Sequence, residues 1–220
     1  MSVNQSPVIL IGALLIISVW NLRWPGYSSP VFSQSAGAAL CDYCNVKVSL
    51  SLLERTSTQL KFQARITNTS SRSVLIVTNP VRVDGSAGPY ISLNADEPSL
   101  LELGFRVFPP PGYDILATND RVTYTRVEPG MTHHEELLLQ APIEETEPPW
   151  RGMAKPQDIN LAKVQYVKFN VGVLPDEPEI REAFARELSP TGLELVKTGR
   201  FKGKSLFKVQ GIVSSERVKL

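Results

Sequence analysis

The chain has 220 residues, a formal net charge of +1 and a hydrophobic fraction of 42%. That is enough to bury one sizeable core, and the near-neutral balance excludes a global field that would recruit nucleic acid or an acidic partner, so any such claim must rest on a local patch. Seventeen prolines, often beside Gly or another Pro, punctuate a chain of short elements and set all-β as the expectation.

Val8 to Trp20 is an uncharged apolar run resembling a signal region, followed by Trp24 and a Pro25-Gly26 stop. It lacks a preceding Lys or Arg, and the nearest small-x-small site, Ala36-Gly37-Ala38, is distant. With Trp20 and Trp24 as interfacial anchors it reaches the lower end of a spanning length. Residues 1–26 therefore read as a membrane anchor or a cleavable signal, and the remainder as extracytoplasmic, either single-pass anchored or secreted. Residues 27–44 form a Ser/Ala/Gly-rich spacer. It ends in Cys41-Asp42-Tyr43-Cys44, which holds both cysteines of the chain. Their spacing favours a short-range disulfide, with free thiols or redox or metal chemistry as the alternatives. A structural zinc site would need further N or S ligands that no second Cys pair supplies.

From Asn45 the chain reads as successive strands. Val46, Val48, Leu50 and Leu52 share one face of the first, and Leu60, Phe62, Ala64 and Ile66 alternate with Lys61, Gln63, Arg65 and Thr67 in the second. The polar stretch Asn68-Thr69-Ser70-Ser71 reads as a hairpin turn into a third strand at Ser73 to Val83. Asn68-Thr69-Ser70 is also an N-glycosylation sequon, expected to be accessible in such a turn. Tyr90 to Leu93 suits a short edge strand within a Pro/Gly-rich connection. Leu101, Leu103, Phe105 and Val107 alternate next, and Pro109-Pro110-Pro111-Gly112 ends that strand.

Arg121 to Val127 and Met131 to Gln140 flank the turn Glu128-Pro129-Gly130. The second of these strands carries both histidines, in His133-His134-Glu135-Glu136. His133 and Glu135 fall on one face, but alternation leaves one imidazole per face, too few for a catalytic zinc without further ligands. The loop Ala141 to Gln157 holds an acidic cluster, Glu144, Glu145 and Glu147, and then Pro148-Pro149-Trp150-Arg151. Trp150 either plugs an end of the fold or, with Arg151, anchors a partner. Val167, Phe169, Val171 and Val173 then give one of the strongest alternations.

The stretches LKFQARITNTS, RVTYTRVEPGMTHHEELLL and YVKFNVGV resemble exported Ig-like or fibronectin-III-like modules over about Asn45 to Leu174. They lack the inter-sheet cysteine pair and intervening Trp of true Ig domains. The resemblance implies an antiparallel Ig-like β-sandwich, here residues 45–175, and no functional residues. Residues 176–220 read as a short helix, with Ile180, Phe184 and Leu188 at helical spacing, and then a β-hairpin from Leu193 to Leu220 whose return strand holds Phe207, Val209 and Val213. That tail has Lys197, Arg200, Lys202, Lys204, Lys208, Arg217 and Lys219 against Glu194 and Glu216, and is expected to be a basic patch centred on Arg200, Lys202 and Lys204.

The functional expectation is a non-enzymatic, membrane-tethered or secreted β-sandwich module that binds an unknown protein partner or serves structural placement. It requires no cofactor, nucleic acid or identified small-molecule substrate. The competing expectation is a redox or metal-dependent enzyme using Cys41 and Cys44 or His133 and His134.

Overall fold

A computed structural model describes residues 45–81, 87–107, 121–146, 158–187, 192–195 and 200–220, all within one compact unit. The apolar segment 1–26, the spacer with Cys41 and Cys44, and the Trp150-Arg151 pair lie outside the described residues. Among the described residues no helix is long and apolar enough to cross a membrane.

The protein is mostly β, with its strands in two main sheets whose buried faces share one hydrophobic core, an arrangement compatible with a β-sandwich. The smaller sheet has the order β1-β2-β7, from β1 (Val46–Arg55), β2 (Gln59–Asn68) and β7 (Thr132–Gln140), and is antiparallel throughout. Alternation decides its two faces. Leu60, Phe62, Ala64 and Ile66 of β2, with Leu137 and Leu139 of β7, are buried, while Lys61, Gln63, Arg65 and Thr67 face outward.

The larger sheet contains β3 (Val74–Val81), β4 (Tyr90–Leu93), β5 (Leu100–Phe105), β6 (Arg121–Val127) and β8 (Tyr166–Pro175) in the order β4-β5-β8-β3-β6. Beyond β6 it continues through β10 (Gly192–Leu195) to β9 (Ala185–Glu187). Two further strands, β13 (Gly211–Ser214) and β14 (Val218–Lys219), pair with β8. Val171 lies opposite both Phe105 and Val213, and Val173 opposite both Ile76 and Gly211. Because β13 holds one edge of β8 at both of these positions, β5 and β3 must share the other. The β5–β8 pair is parallel, unlike every other pair in the two main sheets.

The hairpin expected across Asn68 to Ser71 does not form, because β2 pairs only with β1 and β7 while β3 pairs with β6 and β8. The chain crosses between sheets there, and crosses again at Pro129-Gly130 between β6 and β7. Asn68 ties the two crossings together. It is fully buried, its Nδ2 donates to Arg72 O (2.7 Å) and Val127 O (2.9 Å), and its Oδ1 accepts from Ser70 N (2.9 Å) and Ser70 Oγ (2.6 Å). Its backbone also accepts from Gly130 N (2.8 Å) and donates to Met131 O (3.0 Å). The sequon is thus not an accessible acceptor in the folded chain: the amide that a glycan would occupy is spent on two carbonyls.

The tail also departs from expectation. Helix α1 (Pro178–Phe184) buries Ile180 and Phe184 as its spacing requires, but ends at Phe184 where β9 begins. A tight ribbon joins β11 (Arg200–Phe201) to β12 (Lys204–Ser205) through Lys202 and Gly203, both at positive φ (49° and 75°). That two-residue turn geometry favours Gly at its second position. Phe207 and Val209 then lie in the helical turn α2 (Leu206–Val209) instead of a return strand, whereas Val213 is in β13 as expected for a strand residue. The long hairpin is replaced because β10, β13 and β14 find partners in the main sheet, where pairing comes with burial, instead of in one another.

Two buried polar devices fix the tail to that sheet. Gln210 sends its side chain across Gly172 of β8, where a Cβ would overlap the Gln210 amide oxygen and lie 2.9 Å from Val77 Cγ2. Its Oε1 accepts from Val107 N (3.0 Å) and Tyr124 Oη (3.2 Å), and its Nε2 donates to Val107 O (3.2 Å). Burial pushes the Tyr124 phenol well above its ordinary pKa, so it remains a donor. At the start of α1, the Asp176 carboxylate, 2% exposed, accepts a two-point pair from Arg181 at 2.6 Å each. Arg126 Nε lies 2.8 Å from Asp176 Oδ2 without hydrogen-bond alignment, so that contact is Coulombic. The hydrogen bond to Asp176 raises the Arg181 guanidinium above its ordinary value.

Candidate functional site

Among the described residues, the chemistry-bearing side chains singled out in the sequence do not converge. His133 and Glu135 share a face, as alternation requires, and it is the core-facing one: His133 lies opposite Ile66 and Glu135 opposite Ala64. They bond to each other, His133 Nε2 to Glu135 Oε1 at 2.9 Å, while His134 is on the opposite, solvent side of β7. Among the described residues no group of three or more His, Cys, Asp or Glu could hold a metal ion. The base of the acidic loop is closed by a bridge between Glu144 and Asp158 and by Ile159 N to Ile143 O (2.7 Å). Thr146 fastens it to β4 through both its N–H and its hydroxyl, each bonded to Ile91.

The basic tail is dispersed. Arg200 pairs with Ser205 and Phe201 with Lys204, so Arg200 and Lys204 project to opposite sides of the ribbon. Lys202 is at its tip, where it is exposed, as are Arg200 and Lys204. Arg217 is committed elsewhere, in an ion pair with Glu97 at 2.8 Å, and Lys219 lies in β14 against the first residues of β8.

The described surface feature with convergent chemistry lies on the outer face of the β1-β2-β7 sheet. It is an open groove of ≈ 410 Å³ lined by Lys47, Ser49, Arg65, Thr67, Thr132 and His134. Register builds it in two rows. Thr67 stands between Lys47 and Thr132, and Arg65 between Ser49 and His134. Directly opposed Cβ atoms lie about 5 Å apart and diagonal ones about 7–8 Å, so Arg65 stands centrally, with His134 directly opposite and Lys47 diagonal to it. Thr67 Oγ1 and Thr132 Oγ1 are 2.9 Å apart. Arg65 is steered by a neutral group, its Nε and Nη2 donating to Gln63 Oε1 at 3.3 and 3.2 Å.

Charge is neutralised one row further along and not in the groove. Glu136 is opposite Gln63 and takes Lys61, with Nζ to Oε2 at 2.9 Å, and that bond raises the Lys61 ammonium pKa. Among the described residues no carboxylate pairs with Lys47, Arg65 or His134.

Sequence reasoning placed Arg65 and Thr67 outward on β2 but did not assemble this site, because the turn after Asn68 was read as a hairpin. The usable signal was the short Thr56-Ser57-Thr58 connection. Its Thr56 N to Gln59 O bond (2.9 Å) closes the real β1–β2 hairpin and fixes which residues face each other. A second cavity, ≈ 430 Å³ at the end of this sheet, is lined by Arg55, Thr56, Ser57, Leu60, Leu161, Ala162 and Leu220, and gathers one charged side chain only.

Comparison of the chain with protein-family models, curated proteins and solved structures found no match.

Proposed function

We propose that the chain is a non-enzymatic, extracytoplasmic β-sandwich module of Ig-like character that acts by binding. Its N-terminal apolar segment either keeps it at a membrane or is removed on secretion. One observation carries the binding reading: the outer face of β1-β2-β7 presents an open groove with Lys47, Arg65 and His134, none of them paired with a carboxylate among the described residues. Lys47 and Arg65, without a carboxylate partner among the described residues of this sheet, are available to an incoming anion without first breaking an ion pair. The two-sheet, mostly antiparallel arrangement supports the Ig-like part of the reading, and the parallel β5–β8 pair is its main departure from that pattern.

The test uses the full-length protein recovered with its neighbours from the cells that make it, from membranes and from medium, after mild cross-linking. The double variant Lys47→Glu/Arg65→Glu should lose partners that the Lys61→Gln/Glu136→Gln variant keeps, because only the former reverses the charge of the groove. An identical partner set in both variants would remove the groove from the function.

A further inference from the structure

We propose that this groove is a subsite for a phosphoryl or sulfuryl oxyanion. The inference rests on the binding reading above and names the ligand chemistry for it. Lys47 and Arg65 together carry two positive charges on one face, diagonal to each other across β1 and β2. Arg65 has two of its guanidinium nitrogens engaged by Gln63, which fixes the plane of the group while leaving Nη1 and its charge directed at solvent.

The hydroxyls argue for an acceptor at the same place. Thr67 and Thr132 share one hydrogen bond, which uses one of their two O–H donors and leaves the other for a ligand, and Ser49 adds a third hydroxyl in the neighbouring row. His134, directly opposite Arg65, closes the far side from β7. A carboxylate offers only two oxygens, in one plane, and would leave part of this donor set unused. A tetrahedral oxyanion offers at least three and suits donors arriving from three strands. None of the six lining residues is Phe, Tyr or Trp, so a neutral sugar or a base would find only the His134 imidazole to stack on.

Nearby acids do not compete for the site. Glu136 is held by Lys61, Glu135 faces the core side and bonds His133, and Glu128 accepts from Ser73 Oγ at 2.8 Å.

Inorganic phosphate titrated calorimetrically into the full-length protein in neutral detergent should bind at one site and weaken as ionic strength rises. Arg65→Gln should weaken it about tenfold and Lys47→Gln severalfold, since hydrogen bonds between charged partners are the strong ones, with His134→Gln smaller. Lys61→Gln/Glu136→Gln and Arg200→Gln should leave it unchanged. A short-chain phosphatidic acid in mixed micelles is the second arm. Binding there with the same dependence on Arg65, and none to inorganic phosphate, assigns the oxyanion to a lipid headgroup, whereas binding of free phosphate assigns it to a soluble ligand. Absence of binding to both probes, or equal binding by Arg65→Gln, overturns the inference. If the probes fail but Lys47→Glu/Arg65→Glu still loses its partners, the binding reading survives without the oxyanion; if partner capture is also unchanged, both fall.

Discussion

Two strands, β2 and β8, each occupy the middle of their sheet, yet they are solvated differently. β2 alternates, with Leu60, Phe62, Ala64, Ile66 and Asn68 buried and the residues between them half-buried or exposed. β8 starts in the same way and then becomes continuously buried from Phe169 to Pro175. The cause is what lies on the second face. Nothing among the described residues covers the outer face of β2, whereas β8 is crossed by Gln210 at Gly172 and has Asn170 held by Ser214 Oγ at 2.7 Å. A sheet with one free face can present chemistry to a partner; a strand closed on both sides can only carry load for the fold.

The largest test of that contrast is on the inner face of β2. Phe62 is 0% exposed and lies opposite Leu52 and Leu137. Phe62→Ala should cost about 3–5 kcal/mol in unfolding free energy, read from urea denaturation, since removal of a buried ring leaves a cavity the rigid sheets cannot fill. A loss below about 1 kcal/mol would mean that this face is not packed as described.

On β8 the telling residue is Gln210. Replacing it with Ala strands Val107 N–H, Val107 C=O and the Tyr124 hydroxyl, and should cost about 2–4 kcal/mol. Gly172→Ala pushes into the same space and should be destabilising by about 1–3 kcal/mol. The double variant sharpens the contrast, because with the amide gone the new methyl has room. Its total loss should fall clearly short of the sum, and strict additivity would disprove the crossing of β8 by Gln210.

How far the sequence revealed this architecture follows from the same contrast. Alternation is legible wherever one face is wet, so β1, β2 and β7, and the core residues Leu60, Phe62, Ala64 and Ile66, could be read directly. The second face of β8 could not, since Gln210 lies 38 residues beyond Gly172 and buried amides have no periodic signature. Sheet membership was illegible for another reason. Polar turns look alike whether they fold a strand back on itself or send it to the opposite sheet, and at Asn68 it is the long-range bonds to Val127, Gly130 and Met131 that distinguish them. The groove was hidden by that ambiguity, because Arg65 meets His134 only once β2 and β7 are known neighbours.

Asn68 stands at the boundary between the two behaviours, last on the buried face of β2 and first in the crossing to β3. Asn68→Ala should cost about 1–3 kcal/mol, measured by thermal or urea unfolding, because it removes the buried Nδ2 bonds to Arg72 O and Val127 O together. Asn68→Asp should be no milder, since a carboxylate oxygen then faces those carbonyls. An Asn68→Ala variant as stable as the parent would show that the two crossings hold without this side chain.

The smallest effect belongs to the free face. Lys61 and Glu136 form a short pair at 2.9 Å, but Glu136 is well exposed, and such pairs contribute little once water and salt compete for them. Lys61→Gln should therefore leave the unfolding midpoint nearly unchanged, and so should Arg65→Gln, whose partner is the neutral Gln63. The two differ in what else they change. Lys61→Gln releases Glu136 into the row beside the groove, placing an unpaired negative charge next to Arg65, whereas Lys61→Gln/Glu136→Gln removes both charges and leaves Arg65 and Lys47 as they are. If the outer face is a binding surface and not scaffold, the double variant should match the parent in both stability and anion binding, while Arg65→Gln keeps the stability and loses the binding. Loss of stability in Arg65→Gln comparable to that in Phe62→Ala would erase the distinction between the faces.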